Sequence, residues 1–463
     1  GGGDRLGSVV LELLQPPVGV GRGMLPPPAS SPLSSARPSF SPSLSQGWPA
    51  APPAPPPQLE HQLLLGSTSR RCSALALHAS RPLLLAAAGR DDITVWDVRR
   101  RARMLGFCNG NPAGSRIHSL LLLGEASFCG LPAVAVGTTD GCVRIWRGYD
   151  RQHTLHLLTA WQVSASPMNG SAAALGAEAA GRDATAAVAW QPARALMVAA
   201  GGGGADVCLW DVRVEQLTSR LTLPPGSNCA VTCLAADPST PLLVAGCSDG
   251  VVRAIDPRLP PSACVTASLV AARSAVAPVA AVAIQAAPAY PRLAAASATG
   301  AVWLVDPRRA PPPARAPNSP GVCLAWSDGP TPTGASVLGD PRCAAPIDSH
   351  RTASPCISAL ALHPTAPLLS IASSSQFVKL FDISGAGPAA SGRATADAGS
   401  TGGSGAGSPA LGGPREMSTV RYYDGFLGAR ISAVTALAFH PVRHMLVTGA
   451  TDGALTLYAD GKK

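Results

Sequence analysis

The chain has 463 residues and carries 36 Lys and Arg against 27 Asp and Glu, a formal net charge of +9. The arginines are scattered, the lysines are confined to Lys379, Lys462 and Lys463, and no basic run is interleaved with aromatics, so the charge does not mark a nucleic-acid surface. No stretch reaches the roughly 18 uninterrupted apolar residues of a membrane span, and the 12 cysteines form neither a Cys-x-x-Cys pair nor a zinc-type spacing.

Residues 1–58 are rich in Pro, Ser and Gly and hold too little apolar surface to build a core, so they are expected to form a disordered tail. The chain starts GGGDR without methionine, and Glu12 interrupts the apolar run near its start. No signal peptide is read there. The sequence reads as the C-terminal piece of something longer, or as a misplaced start.

From residue 59 to 463 one unit recurs. Its most regular part is a closing strand: TVWD at Trp96, RIWR at Trp146, CLWD at Trp210, RAID at Ile255, WLVD at Val305, KLFD at Phe381 and TLYA at Tyr458. Before each lies an apolar run of the PLLVAG or HMLVTG type and then a turn, such as Asp140-Gly141, Asp249-Gly250 or Asp452-Gly453. Asp-Gly between apolar runs is a strong hairpin signal, because both residues tolerate positive φ. Earlier still in each unit comes a run such as SALALH or TALAFHP. The strands are apolar on both faces, as a sheet packed between two neighbouring sheets requires. Spacings between closing residues run from 45 to 77, the short ones approaching the period of about 40–45 for a four-stranded propeller blade. The long ones carry insertions at about 164–183, 310–354 and 384–415, whose composition suits loops.

Seven units predict an all-β chain folded as a seven-bladed WD40 β-propeller. The last unit lacks a fourth strand after Tyr458, while an orphan apolar run, EHQLLLG at 60–66, precedes the first unit. The expectation is that residues 63–65 pair beside the last blade and close the ring, leaving no long unpaired edge.

No catalytic motif stands out: no phosphate-binding Gly-rich loop with Lys, no nucleophile elbow, no metalloprotease helix. The glycine run 201–204 leads straight into CLWD and reads as a hairpin turn. His78, His363 and His440 each end a first strand, and equivalent positions of different blades lie too far apart to share a metal, so they read as turn residues. Neither metal nor cofactor is expected. Trp96-Asp97-Val98-Arg99 and Trp210-Asp211-Val212-Arg213 match the WDxR signature of propellers that dock cullin ubiquitin-ligase adaptors, which gives an alternative reading as a substrate receptor. Ser-Pro and Thr-Pro pairs at Ser31, Ser41, Ser319, Thr331 and Ser408 are candidate phosphosites, and Asn169-Gly170-Ser171 fits a glycosylation sequon without other signs of secretion. Residues that a propeller as such does not require are the candidate partner-binding set: Asn109, Asn111, Trp161, Tyr422, Tyr423, Asp424, Phe426 and Arg430. Aromatics gathered in a chain that is only 4% aromatic suit a binding hot spot.

These segments carry a resemblance. CNGNP at 108–112, LTAWQ at 158–162, YYDGFLGAR at 422–430 and ALAFHP at 436–441 stand in the order found in the C-terminal WD-repeat propeller of the raptor family, the regulatory-associated proteins of the TOR kinase. The run from SNCAVTCLAADP to VVRAIDPR also fits, while Ala429 stands where the family usually has glutamine. The resemblance covers about residues 60–463 and not the caspase-like domain or the helical repeats of that family. It implies a non-catalytic scaffold or adaptor contributing to assembly of TOR complex one and to nutrient-responsive growth signalling. The TOR kinase and its complex subunits are the implied partners, in the cytoplasm, with any lysosome or vacuole surface reached through partners.

Overall fold

The computed structural model describes residues 59, 61–124, 130–163, 186–201, 206–223, 229–261, 263–270, 278–285, 292–298, 301–305, 322–325, 357–373, 377–384, 415–421 and 432–460. Within them lie seven four-stranded antiparallel sheets. The first blade shows the plan, with strands Cys72–Leu77, Leu83–Ala88, Asp92–Asp97 and Ala102–Cys108 paired in that order. The first strands of the next five blades are Ile117–Leu123, Ala187–Gln191, Val231–Ala236, Val279–Gln285 and Ile357–Leu362. Each packs beside the first strand of the following blade, and Val434–Phe439 of the seventh returns to Cys72–Leu77, so the first strands line the axis of a closed ring. The second strand of blade 1 is buried at every position, whereas its fourth strand is mostly exposed, which puts the fourth strand on the rim.

The seventh blade closes as expected. Val434–Phe439, Met445–Ala450 and Ala454–Ala459 are followed in the sheet by His61–Ser67 from the other end of the sequence. Leu63 faces Leu457 and Leu64 faces Thr456 across this pairing, and a bulge at Leu65 turns that side chain into the core between blades 7 and 1. The strand runs one residue further than expected, to Ser67, after which Thr68 Oγ1 donates to the Gly453 carbonyl.

The seven closing residues all sit in third strands and share one register. Trp96 faces Leu84, Trp146 faces Val134, Trp210 faces Met197, Ile255 faces Leu243, Val305 faces Leu293, Phe381 faces Leu369 and Tyr458 faces Leu446. A second regularity lies at the axis. In six blades the first strand has a bulge after its first residue. Thr232, Ser358 and Thr435 occupy such bulges, and their hydroxyls donate to the carbonyls of Val279, Val434 and Cys72 in the next blade. A bulge frees one residue from the ladder, and here its hydroxyl stitches neighbouring blades together.

The division into segments differs from expectation in two places. The stretch assigned to an insertion at 310–354 contains the fourth strand of blade 5, Val322–Ala325, which pairs with Ala301–Val305. Four apolar residues flanked by Pro and Gly carry too little pattern to stand out as a strand. The fourth strand of blade 6, Arg415–Arg421, takes the final residue of the insertion expected at 384–415. The expected tail 1–58 and the insertion at 164–183 lie outside the described residues.

The recurring Gly of the second strand has a steric reason. At Gly449 an added Cβ would stand 2.8 Å from the Cys72 Cβ of blade 1 and closer still to its sulfur, and Gly246 and Gly137 meet the next blade in the same way. Gly449→Ala is therefore expected to lower stability by about 1–3 kcal/mol through overpacking at the ring's closing junction. Urea denaturation checks this; an unchanged midpoint would show that the junction yields freely.

Candidate functional site

The candidate partner-binding residues fall into three groups. Asn109 follows the fourth strand of blade 1 and is 1% exposed. Its Oδ1 accepts the indole N–H of Trp146 in blade 2 at 2.8 Å, and its Nδ2 donates to Asn111 Oδ1 at 2.7 Å. Asn111 in turn donates from its backbone to Asp91 Oδ1 and from Nδ2 to the Arg90 carbonyl, while Arg144 of blade 2 donates to Asn111 Oδ1 at 3.3 Å. Phe107 packs on Trp146 with ring centroids 5.2 Å apart. The Asn-Gly-Asn run is thus a polar clamp that locks blade 1 to blade 2, and the sequence offered no sign that Trp146, a blade closer, would be its anchor.

Trp161 lies in the fourth strand of blade 2, His156–Gln162, and is 8% exposed. Its ring stacks on Trp210 of blade 3 at 5.6 Å and 23°. Asn109 and Trp161 therefore fill blade junctions rather than an open surface. Tyr422, Tyr423, Asp424, Phe426 and Arg430 lie outside the described residues. The strand ends on either side, Arg421 and Val434, belong to the connection between a fourth and a first strand, the same kind of connection as the one holding Asn109 and Asn111.

The three histidines form turns. Nδ1 of His78 accepts the backbone N–H of Ser80 and Arg81, Nδ1 of His363 those of Thr365 and Ala366, and Nδ1 of His440 those of Val442 and Arg443. Asp237 holds the same turn in blade 4 through Oδ1 to Ser239 and Thr240. Burial pushes the pKa of His363 and His440 below the ordinary value; Arg443, His363 and His78 push that of His440 the same way. Both rings are therefore neutral at pH 7, as acceptance at Nδ1 requires. The WDxR residues also build turns: Asp97 accepts from Arg99 N and Arg100 N, and Asp211 accepts from Arg213 N and pairs with its guanidinium at 3.3 Å.

One cluster escaped the sequence reading. Cys229, Cys247 and Asp249 offer ligand atoms within 4.8 Å of one another in blade 4. However, Arg253 already grips Asp249 through two hydrogen bonds, at 3.1 and 2.5 Å, and bonds Cys247. Burial pushes the Cys247 thiol up to about 12. The guanidinium thus supplies the positive charge that a metal would bring, and the trio is a structural ion pair flanked by thiols. The sequence did carry its signal: the spacing Asp-Gly-x-Val-Arg occurs at both Asp140–Arg144 and Asp249–Arg253.

Seven such blades in one ring, each closed at the same register, define a WD40-type β-propeller. The family described as WD domain, G-beta repeat matches residues 218–256 and 426–458, the first segment running from the fourth strand of blade 3 through the third strand of blade 4. More particularly, the chain resembles the C-terminal WD40-repeat portion of raptor. It is 25% identical over 394 residues to a protein named raptor homolog in Dictyostelium discoideum, covering 84% of this chain and 21% of that protein. It is 27% identical over 384 residues to Regulatory-associated protein of TOR 1 of Arabidopsis thaliana, covering 82% of this chain and 22% of that one. The crystal structure of Chaetomium thermophilum Raptor shares the fold with a TM-score of 0.62 at 20% identity, over 86% of this chain and 29% of that one. The chain spans about a fifth of the length of the curated relatives it matches.

Proposed function

We propose that the chain is a non-catalytic binding platform, the propeller portion of an adaptor subunit of a TOR complex that contributes to its assembly and to growth signalling. The observation that supports this most is the similarity to proteins named for raptor and TOR across more than four fifths of the chain, 84% in one case. A ring whose blades are locked by clamps such as Asn109–Trp146 is stiff, so the described blades meet a partner with little ordering cost. The TOR kinase and its complex subunits are the partners this reading assigns. No helix among the described residues is long and apolar enough to cross a membrane, and the platform is assigned to the cytoplasm, meeting a lysosome or vacuole surface through its partners. The similarities favour this reading over the cullin-adaptor alternative, and the WDxR aspartates are engaged in their own turns.

Purifying the tagged full-length protein with its associated proteins tests the reading directly. Co-purification of TOR kinase supports it, and recovery of cullin adaptor components in its place overturns it. Within the platform, the Tyr422–Arg430 segment is assigned as a contact. Tyr423→Ala combined with Phe426→Ala is expected to weaken kinase-complex association by about 2 kcal/mol. Equal binding per folded molecule would remove that segment from the interface.

A further inference from the structure

At the turn face where first strands end, side chains bridge one blade to the next. Gln285 of blade 5 donates to the carbonyls of His363 and Ala366 in blade 6, and His363 Nε2 donates to the Arg443 carbonyl of blade 7 at 3.0 Å. The junction between blades 7 and 1 breaks this pattern. There His440 engages only its own turn through Nδ1, and among the described residues its Nε2–H has no partner, although the residue is only 6% exposed. Where the bridge would stand, a cleft of about 50 Å³ opens, lined by Arg81, Arg99, His440 and Arg443 above an apolar floor that includes Leu77 and Met445.

The charges around this cleft are unbalanced. Arg81 is committed to Asp150 of blade 2 at 2.6 Å. Asp97 uses its carboxylate on the backbone of Arg99 and Arg100 and, at 3.8 Å, on the Arg100 side chain. The guanidinium groups of Arg99 and Arg443 form no ion pair among the described residues. Two guanidinium groups without an ion-pair partner among the described residues and the unpartnered Nε2–H of His440 thus line one small cavity.

We propose that this cleft is a binding site for a phosphoryl group. Two guanidinium forks match a dianionic tetrahedral oxyanion in charge and in hydrogen-bonding geometry. The imidazole N–H adds a third, directional donor from the cleft wall. The cleft has room for one phosphoryl group. The source is either inorganic phosphate or the side chain of a phosphoserine in a peptide, and both present the same oxygens. The site is independent of the TOR-complex reading, because it rests on side chains of blades 7 and 1 alone.

Calorimetric titration of the full chain at low ionic strength tests it, with inorganic phosphate, a phosphoserine-proline peptide and the same peptide unphosphorylated. Phosphate or the phosphopeptide is expected to bind and the unphosphorylated peptide not to. Arg99→Gln and Arg443→Gln are each expected to weaken binding about tenfold, the loss of one charge-assisted hydrogen-bonding group. His440→Asp retains the turn, as Asp237 does in blade 4, and is expected to abolish binding by replacing the donor with a negative charge. Tighter binding of the phosphopeptide than of phosphate assigns the source to a peptide; equal affinities assign it to the free ion. Binding by neither ligand, or undiminished binding in the Arg99→Gln, Arg443→Gln double variant, overturns the proposal. The double variant also decides the matter if His440→Asp melts early.

Discussion

Removal of residues 60–66 is expected to destabilise the whole ring, not one blade. Those residues supply the fourth strand of blade 7, and Leu65 is buried in a cluster that joins blade 7 to blade 1 through Cys72, Leu75, Trp96, Val447 and Leu457. Gly66 lies against the Trp96 ring, where an added Cβ would stand 2.6 Å away. Deletion therefore uncovers Trp96 and leaves the third strand Ala454–Ala459 as an unpaired apolar edge, which invites association between molecules. Leu65→Ala alone is expected to cost about 3 kcal/mol from lost burial and the cavity left behind, and the deletion more than that. Thermal melting followed by tryptophan fluorescence reads both effects, with light scattering to detect edge-to-edge association. A deletion variant that melts with wild-type midpoint and stays monomeric would rule out the closing role of this strand.

The closing strand was legible because two independent deficits pointed at each other: a blade short of a strand at Tyr458 and an apolar run without a blade at 60–66. The closing residues were legible for a similar reason, since a repeated aromatic or aliphatic residue at one register leaves a mark in each unit. Pairwise chemistry across junctions left no such mark. Nothing in Asn109 itself announces Trp146, which is 37 residues further on. Nothing in Thr435 announces Cys72, 363 residues away at the other end of the ring. Trp161 stood out as an aromatic in an aromatic-poor chain, yet the same property suits a blade junction, and its stacking on Trp210 is what the fold makes of it. The strand Val322–Ala325 was hidden by its Pro-rich flanks, which mimic a loop even where four residues pair.

A fall in stability below about pH 6.5, where carboxylates are still ionised, is the second large expected effect. His363 is fully buried and serves three partners at once: the N–H groups of Thr365 and Ala366 at Nδ1 and the Arg443 carbonyl at Nε2. Only the neutral ring with its proton on Nε2 satisfies all three. A second proton on Nδ1 would face two N–H donors inside the fold. Burial holds the folded pKa below the ordinary 6.5, against the pull of the Arg443 carbonyl in the other direction and with a smaller electrostatic push from the nearby His444. His440 is lowered as well, by burial and then by Arg443, His363 and His78. Above pH 6.5 neither folded nor unfolded chain holds the extra protons, so these histidines leave stability unchanged there. Below 6.5 the unfolded chain takes up protons that the folded chain refuses, and stability falls with a limiting slope of about 1.4 kcal/mol per pH unit for each ring. The loss ends once pH drops beneath the folded pKa values. His363→Asn keeps an acceptor for the turn but cannot reach Arg443 and does not titrate. At pH 7.5 it is expected to cost about 1–2 kcal/mol, the loss of the hydrogen bond to the Arg443 carbonyl, and between pH 6.5 and 5 to show a shallower slope than wild type. Urea denaturation at half-unit steps across that range makes the comparison. An identical slope in both proteins would assign the pH dependence to other groups and leave His363 a turn residue only.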